Sequence, residues 1–386
     1  MSLFRHLSKL FFSCLLSSVL LSLSGCKSEQ SISGTNTNIT NPPTILTQPV
    51  ARVVPLGQSW QLSVSAVGEG TLHYQWRRNN FAISGAINSS YSFTPTTQSD
   101  GGNFDVVVSN EAGNITSNAV QIIVANTQGP WNAGLILCSS SNGSAWSNFR
   151  TIVNQGGVPC LARTISGRIA AVFQWFPFDK PEAFDKVAVS FSDNYGISWS
   201  SPQTIQLQNV PSNYMRPFDP TIVVLDDGRY RLYFTSNTGQ GSANGFYSAI
   251  SSDGVNYTWE SGARFAPSGG SVDCAVTIFN GQFHLTSPIG APNQGAYHAV
   301  SDDGLTFSRL TDIPSSGNCN WTGNLITIGT MMRFYGTSPT GIWFSESTNG
   351  STWTQPISTG VQGGDPGIAM IPGGGWLMLY VGQAQN

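Results

Sequence analysis

Three aspartates, Asp219, Asp273 and Asp365, each open a run of β-branched and apolar residues. A carboxyl group can donate or accept a proton, so carboxyls that meet at one place can carry general acid–base catalysis. Carboxylates held close together repel one another unless a ligand, a cation or an arginine compensates their charge. A structural alternative stays open, because an Asp before Pro at a strand end also accepts hydrogen bonds from loop amides.

The elements that would position these aspartates form a repeat. Five segments after residue 130 share a pattern: Ser is followed two positions later by Asp or Asn, then by Gly, and then by an aromatic residue. The Gly follows the Asp or Asn directly in four segments and one residue later in the segment at 192–199. Their glycines, 53, 58, 50 and 46 residues apart, are Gly143, Gly196, Gly254, Gly304 and Gly350. Between consecutive segments the sequence indicates a strand, a tight turn containing Gly and a second strand. A period near 50 residues with about four strands predicts β-propeller blades.

Residues 131–386 are therefore predicted to form a five-bladed β-propeller. The outer pair of strands at 135–149 and the inner pair at 365–381 would complete one blade between them and leave no free edge. In a propeller the innermost strands surround the axis, and the loops that lead into them line one opening. Asp219, Asp273 and Asp365 would then converge on that opening.

Other residues near the predicted strand starts could bind a ligand. Arg163 and Arg216 could pair with Asp219 or hold a ligand, although structural ion pairs would explain them equally well. Trp175 and Trp321 could stack on a sugar ring, and Asn320 lies beside Trp321. Packing in the core is the alternative for both tryptophans.

The repeated segments resemble the Asp-box of sialidases and other propellers, and Ser192 to Trp199 fits it most closely. In such a turn the Asp or Asn side chain accepts backbone hydrogen bonds and Gly supplies the positive φ, so the motif is a folding device.

The Asp-Pro strand starts and the Asp227-Gly228-Arg229-Tyr230 turn resemble those of five-bladed glycoside hydrolases that act on arabinans and xylans. This resemblance implies that Asp219 acts as general base and that Asp273 is a further axial carboxylate. The acid of that family is a Glu on the third blade, where this chain has residues 320–324, so Asp365 would have to supply the acid. A non-catalytic glycan-binding protein and a sialidase-like enzyme remain alternatives.

Residues 43–126 show short alternating apolar runs typical of a β-sandwich. Trp76 and the segment at 100–113 resemble strands C and F of immunoglobulin-like domains. Val64 and Val106 replace the two bridging cysteines, and Phe104 replaces the corner Tyr. Apolar packing around Trp76 is predicted to replace the disulfide, and the whole chain is predicted to be all-β.

The N-terminus is predicted to be a signal peptide, because Arg5 and Lys9 precede a short apolar stretch. Residues 23–26 resemble the lipobox of bacterial lipoproteins. This resemblance implies that residues 1–25 are a lipoprotein signal peptide and that Cys26 is the lipidated residue. Residues 26–42 are small and polar, as in a flexible tether. The sequence predicts an exported protein, anchored to a membrane by lipid, at the outer membrane or cell surface.

The composition and charge of the chain indicate which classes of binding partner to expect. Only 10% of residues are charged, and removal of residues 1–25 changes the formal charge from −3 to −5, because Arg5 and Lys9 are lost with no acid. No basic stripe is present, so nucleic acid is not an expected partner. A neutral polar surface suits an uncharged carbohydrate. We expect a monomer without a cofactor.

Four cysteines remain after export: Cys138, Cys160, Cys274 and Cys319. They could pair in three ways or stay as buried thiols, and their spacing matches no zinc motif. No metal site is expected.

Overall fold

The computed structural model describes residues 39–239 and 241–382. The described residues contain 31 strands and four 3₁₀ helices of three residues each, and no α-helix. The predicted signal peptide, the lipidation residue Cys26 and most of the tether lie outside the described residues. Within the described part, no helix is long and apolar enough to cross a membrane.

Ten strands lie between residues 44 and 125. They are β1 (Thr44–Thr47), β2 (Arg52–Pro55), β3 (Trp60–Ser63), β4 (Ser65–Val67), β5 (His73–Arg78), β6 (Phe81–Ala82), β7 (Ser90–Phe93), β8 (Gly102–Asn110), β9 (Gly113–Thr116) and β10 (Val120–Ala125). One sheet has the order β2-β10-β8-β5-β6, with β9 on the far part of β8, and the pairs β3-β7 and β1-β4 are separate. All neighbours are antiparallel except β2 and β10.

The core of this region is built around Trp76, which is fully buried and donates its indole N–H to the Asn88 carbonyl at 2.9 Å. Val64, Phe104 and Val106 are buried in the same cluster. The prediction that apolar packing replaces the bridging disulfide is confirmed. Phe104 also stacks on Phe93 with ring centroids 5.4 Å apart, which joins β8 to the β3-β7 pair.

The other 21 strands lie between residues 134 and 382. They are β11 (Gly134–Ser140), β12 (Ser147–Val153), β13 (Gly156–Arg163), β14 (Ile169–Trp175), β15 (Lys186–Ser192), β16 (Gln203–Thr204), β17 (Gln206–Gln208), β18 (Phe218–Val224), β19 (Tyr230–Ser236), β20 (Gly245–Ser251), β21 (Asn256–Phe265), β22 (Ala275–Phe279), β23 (Gln282–Pro288), β24 (Ala296–Ser301), β25 (Ser308–Arg309), β26 (Asn320–Ile328), β27 (Met331–Ser338), β28 (Gly341–Ser347), β29 (Ile357–Ser358), β30 (Gly364–Ile371) and β31 (Gly375–Gly382).

These strands form five separate sheets. Sheet I is β13-β14-β15-β16, sheet II is β18-β19-β20-β21 with β17 beyond β21, sheet III is β22 to β25, sheet IV is β26 to β29, and sheet V is β30-β31-β11-β12. Sheet V joins the two ends of this region, since Gly134 pairs with Gly382 and Ser140 with Trp376. The predicted pairing of the first and last strands is therefore confirmed.

The first strand of each sheet contacts the first strands of two other sheets. β13 contacts β18 and β30, β22 contacts β18 and β26, and β26 contacts β30, so the five contacts complete a cycle. Strand β19 is buried along its whole length, as expected for a strand covered on both faces. The structure thus shows five sheets in cyclic contact. No sheet in the described residues closes on itself, and the five-bladed propeller stays a prediction.

The five repeated segments form the turns after the third strand of each sheet. In each turn the Ser hydroxyl accepts the Gly N–H at 2.8 to 2.9 Å, and the glycines have φ between 71° and 85°. A side-chain oxygen of the Asp or Asn accepts hydrogen bonds from further backbone N–H groups of the turn. In the turn of sheet III, for example, the Asp303 carboxylate accepts from the N–H groups of Leu305 and Thr306. The predicted hydrogen bonding of the Asp-box is confirmed.

Each of these turns also contacts the preceding sheet. Tyr233 in sheet II donates its hydroxyl to the Gly304 carbonyl of sheet III at 2.9 Å, and Tyr335 in sheet IV donates to the Gly143 carbonyl of sheet V at 2.6 Å. A Cβ at Gly254 would lie 2.9 Å from the Phe191 ring, which explains why only Gly fits there. The turns thus connect neighbouring sheets at the periphery.

A hydrogen bond joins the two regions of strands. The Val53 N–H in β2 donates to the Phe178 carbonyl at 2.9 Å. Around this contact, Phe176, Phe184 and Trp131 form an aromatic cluster with ring centroids 5.6 to 6.0 Å apart. This cluster holds the segment between β14 and β15 in place.

Candidate functional site

The three aspartates lie near the starts of β18, β22 and β30. We call the first strands of the five sheets, which contact one another in a cycle, the innermost strands. Asp219 and Asp365 sit in irregularities of the pairing, between Phe218 and Thr221 and between Gly364 and Gly367. Asp219, Asp273 and Asp365 have φ of 49°, 55° and 46°, which is the left-handed region that Asp tolerates better than most residues. In a regular strand, side chains alternate between the two faces of the sheet. An extra residue at a bulge interrupts this alternation, so its side chain can point in a different direction.

Val158 occupies the corresponding position in β13, before Pro159, and has φ of 46°. A β-branched residue in this conformation is strained. Nothing in the sequence singled out Val158. In β26 the corresponding segment, between Asn320 and Gly323, holds Thr322 in place of a carboxylate.

The structure brings the three aspartates together. They line one cavity of about 10 Å³ with Val158 and Gly323, and we call it the acidic pocket. Each aspartate is half-buried as a residue. A volume near 10 Å³ is enough for about one water molecule and much too small for a sugar ring.

Burial raises the pKa of all three carboxyls, and charge repulsion raises it further for Asp219 and Asp273. Burial raises the pKa of Asp219 to about 6; Thr235 and Asp273 lower it, and the charge of Asp365 raises it. Burial, followed by the charges of Asp219 and Asp365, raises the pKa of Asp273 well above its usual range. Burial also raises the pKa of Asp365, against the hydrogen bond with Thr322. Burial and the neighbouring charges therefore favour the protonated form of Asp273, whose side chain hydrogen-bonds to Asp219.

Three threonines support the acidic pocket, and the sequence analysis missed them. The Thr235 side chain is fully buried beside Asp219 and forms no well-aligned hydrogen bond. The Thr337 hydroxyl accepts the Asp365 N–H at 2.9 Å, and Thr322 faces the Asp365 carboxyl. Thr235 and Thr337 lie in the second strands of sheets II and IV, and their appearance in the segments "FTS" and "GTS" was the available signal.

Arg216 lies close to β18 but pairs with Asp185 rather than with Asp219. Its side chain is exposed, and the Asp185 carboxylate also accepts a hydrogen bond from the Gln174 side chain at 3.0 Å. Asn320 is the half-buried first residue of β26, and it pairs with Thr337 in the sheet. Trp175 ends β14, packs against the core between sheets I and V, and carries the Lys180 ammonium 5.2 Å from its ring.

Trp321 does not line a binding surface. Its side chain is 1% exposed and packs among Phe334, Trp343 and Trp353 with ring centroids 4.6 to 5.4 Å apart. The prediction of sugar stacking by Trp321 is wrong, because its side chain points into the core between sheets rather than into the opening.

Arg163 is also far from the aspartates. Strand β13 begins at Gly156, so Arg163 is its last residue and lies five residues beyond Val158, which is roughly 16 Å along a strand. The prediction that Arg163 lies near a strand start and pairs with Asp219 is wrong for this reason.

Arg163 instead lines a second cavity at the other ends of the same five strands. This cavity has a volume of about 410 Å³. We call it the apolar pocket; half-buried apolar side chains on its wall include Ala162, Val224, Ile278, Ile326, Met370 and Ile371.

A buried polar layer separates the two pockets. The Asn324 side chain donates to the Cys160 sulfur at 3.2 Å and accepts the Ile368 N–H at 3.1 Å. The Thr221 hydroxyl donates to the Cys274 carbonyl at 2.6 Å. Cys138, Cys160, Cys274 and Cys319 are all free thiols, and burial raises the pKa of Cys160 to about 11.

No group of three His, Cys, Asp or Glu residues in the described part of the chain has the geometry to hold a metal ion. The carboxyls of the acidic pocket can donate or accept protons, so they could carry proton transfer.

No family model matches this chain, and no curated protein matches it. Solved structures that match include immunoglobulin domains. The tandem Ig repeats of Dlar match 22% of this chain at 22% identity with a TM-score of 0.21, and the match spans 48% of the Dlar chain. Titin M4 matches 22% of this chain at 18% identity with a TM-score of 0.21, over 99% of its own length.

Titin domain M7 matches 22% of this chain at 23% identity with a TM-score of 0.20, over 93% of its own length. The described part of the chain is all-β, as its 31 strands show.

Proposed function

We propose that this chain is an exported, lipid-anchored protein that acts on carbohydrate, and that Asp219, Asp273 and Asp365 hydrolyse a glycosidic bond. One observation carries the proposal: three carboxyls of raised pKa meet in a pocket with room for about one water.

We further propose that residues 131–386 form a five-bladed propeller. The cyclic contacts among β13, β18, β22, β26 and β30 support this assignment. The turn of each sheet packs on the preceding sheet, and sheet V joins the first and last strands of the region. Residues 43–126 would then be an immunoglobulin-like spacer between the anchor at Cys26 and the propeller.

The unequal pKa values suggest a role for each carboxyl. Asp219, ionised at neutral pH, takes a proton from a water whose oxygen attacks the anomeric carbon. As the glycosidic C–O bond breaks, Asp365, whose protonated form is favoured by burial, gives its proton to the departing oxygen. Asp273 holds Asp219 in place through the hydrogen bond between the two side chains. One water is consumed, and two hydroxyl-bearing products leave.

Asp365 suits the acid role better than Asp273 does. A glycoside hydrolase needs its two carboxyls roughly 5 to 10 Å apart. Asp273 hydrogen-bonds to Asp219 and is therefore too close, whereas Asp365 acts on Asp219 through its charge alone.

A non-catalytic glycan-binding protein is the second candidate. It is favoured by the size of the acidic pocket, because a sugar ring would have to lie across its opening rather than inside it. A sialidase-like site is not supported by the arrangement of arginines. Arg163 lies at the apolar pocket, Arg216 pairs with Asp185, and Arg333 pairs with Glu346 inside sheet IV.

The proposal is tested with the mature chain against a panel of polysaccharides and aryl-glycosides. Asp219→Asn should reduce sugar release by about 10²- to 10⁴-fold. Asp226→Asn, on an exposed turn of sheet II, is the matched control and should leave the rate unchanged. Binding without sugar release, unchanged by Asp219→Asn, would favour the glycan-binding protein.

A further inference from the structure

We propose that the apolar pocket is a second binding site, and that it takes a small amphipathic anion with an apolar body and one carboxylate or sulfonate group. The pocket lies at the opposite ends of the innermost strands from the aspartates, so this inference is independent of the glycan proposal.

The shape of the pocket fits a small molecule. Its volume of about 410 Å³ falls within the range of roughly 300 to 1,000 Å³ that is typical of small-molecule sites. All five innermost strands contribute to its wall, and apolar side chains such as Ile278 and Met370 remain half-exposed there. Burying those side chains under an apolar ligand would stabilise the complex.

The rim of the pocket is preformed. Tight turns follow the innermost strands, and Gly167, Gly228, Gly281 and Gly329 adopt φ between 56° and 95° in four of them. In sheet I the Thr164 N–H donates to the Arg168 carbonyl at 2.8 Å, and in sheet II the Leu225 N–H donates to the Arg229 carbonyl at 2.8 Å. A preformed wall lowers the entropy lost on binding.

The charge of the pocket selects an anion. Arg163 is the only charged residue on the wall, and within the described residues its guanidinium forms no ion pair or hydrogen bond. Other charged side chains nearby are occupied: Arg168 pairs with Asp193, and Arg229 pairs with Asp227. A planar guanidinium beside an apolar wall binds a carboxylate or sulfonate through two parallel hydrogen bonds.

The experiment is a fluorescence titration of the mature chain with 1-anilinonaphthalene-8-sulfonate, which has an apolar body and one sulfonate. We expect saturable binding that decanoate displaces. Arg163→Gln should weaken binding at least tenfold, whereas Arg229→Gln, a matched change on an exposed arginine of the adjacent turn, should change it less than twofold.

Two further measurements separate the pocket from other apolar surfaces. Ala162→Trp should fill the pocket and abolish binding, with circular dichroism and the melting temperature used to establish that the variant is folded. The uncharged N-phenyl-1-naphthylamine should bind more weakly and with no dependence on Arg163. Equal binding by wild type, Arg163→Gln and Ala162→Trp would overturn the proposal and point to another surface, such as the exposed Phe81. An absence of saturable binding would also overturn it.

Discussion

The two ends of the five innermost strands differ sharply, although the same strands build both. At one end, three carboxyls share a pocket of about 10 Å³, and at the other, apolar side chains and one arginine line about 410 Å³. At the first end the carboxylates repel one another, and the repulsion raises the pKa of Asp219 and of Asp273. At the second end, half-buried apolar side chains such as Ile278 and Met370 lie beside polar side chains such as Thr277. Charge repulsion lowers stability at pH 7 at the acidic end, whereas the second end has one charged side chain and no such repulsion.

The largest expected effect concerns activity. Asp219→Asn and Asp365→Asn should each reduce glycan hydrolysis by about 10²- to 10⁴-fold, because each removes a proton-transfer group. Thr277→Val at the apolar pocket should leave the rate within about twofold, since the acidic pocket lies at the other strand ends. Initial rates on the substrate found in the panel measure both. Equal losses in all three variants would mean that the change acts through the fold.

The next effect is the pH dependence of stability. The pKa of Asp219 is raised in the folded state to about 6, from 3.8. Its contribution to stability is therefore full below pH 3.8 and is lost as the pH rises through 6. Between pH 4 and pH 7 wild type should lose about 2 kcal/mol that Asp219→Asn does not lose, allowing for partial exposure.

Urea unfolding at a series of pH values measures this difference. The Asp-box carboxyls change stability with pH in the opposite direction. Hydrogen bonds from backbone N–H groups lower the pKa of Asp303 from 3.8 to about 2, so its stabilisation is present above pH 3.8 and is lost as the pH falls through 2. A wild-type curve parallel to that of Asp219→Asn between pH 4 and pH 7 would contradict repulsion in the acidic pocket.

A smaller effect is expected from placing a fourth carboxyl in the acidic pocket. Val158→Asn should stabilise the fold by about 1 kcal/mol at any pH, because Asn tolerates the left-handed backbone that strains Val. At pH 4, Val158→Asp should be as stable as Val158→Asn. At pH 7 it should be about 1 to 2 kcal/mol less stable, because the new carboxylate charge is repelled by the neighbouring aspartates of the acidic pocket. Thermal unfolding of the matched pair at the two pH values isolates this repulsion; identical behaviour at pH 7 would contradict it.

The smallest effect belongs to the apolar pocket. The Thr327 hydroxyl donates to the Ile278 carbonyl at 2.7 Å and lies 3.2 Å from the Thr277 hydroxyl. Thr327→Val should cost about 1 kcal/mol, because it removes a half-buried hydrogen bond. No titrating group takes part in that bond, so the loss measured by urea unfolding should be the same at pH 4 and pH 7. A loss that changes with pH would show that the two pockets are coupled.

Local patterns in the sequence predicted much of the architecture. The spacing of Gly143 to Gly350 predicted five similar groups of strands, and the hydrogen bonds of each Asp-box depend only on neighbouring residues. Trp76, Val64 and Val106 predicted an apolar core without a disulfide, because the side-chain alternation of a strand sets which residues face inward. The Asp residues at the strand starts indicated the acidic pocket for a related reason, since the same position recurs in equivalent strands.

Tertiary contacts decided the rest. The strand that holds Arg163 begins three residues earlier than its Pro159-Cys160 core suggested, and that difference places Arg163 at the opposite end of the strand. Trp321 was misjudged because a bulge between Asn320 and Gly323 changes which face its side chain takes.

The sequence by itself determined the order of strands, the turn chemistry and the alignment of the three aspartates, because these follow from short-range periodicity and backbone preference. Only the tertiary structure decided the pairing of Arg216 with Asp185, the raised pKa of Asp219 and the sizes of the two pockets. Those properties depend on distances between residues of different sheets, and burial and charge repulsion change steeply with such distances.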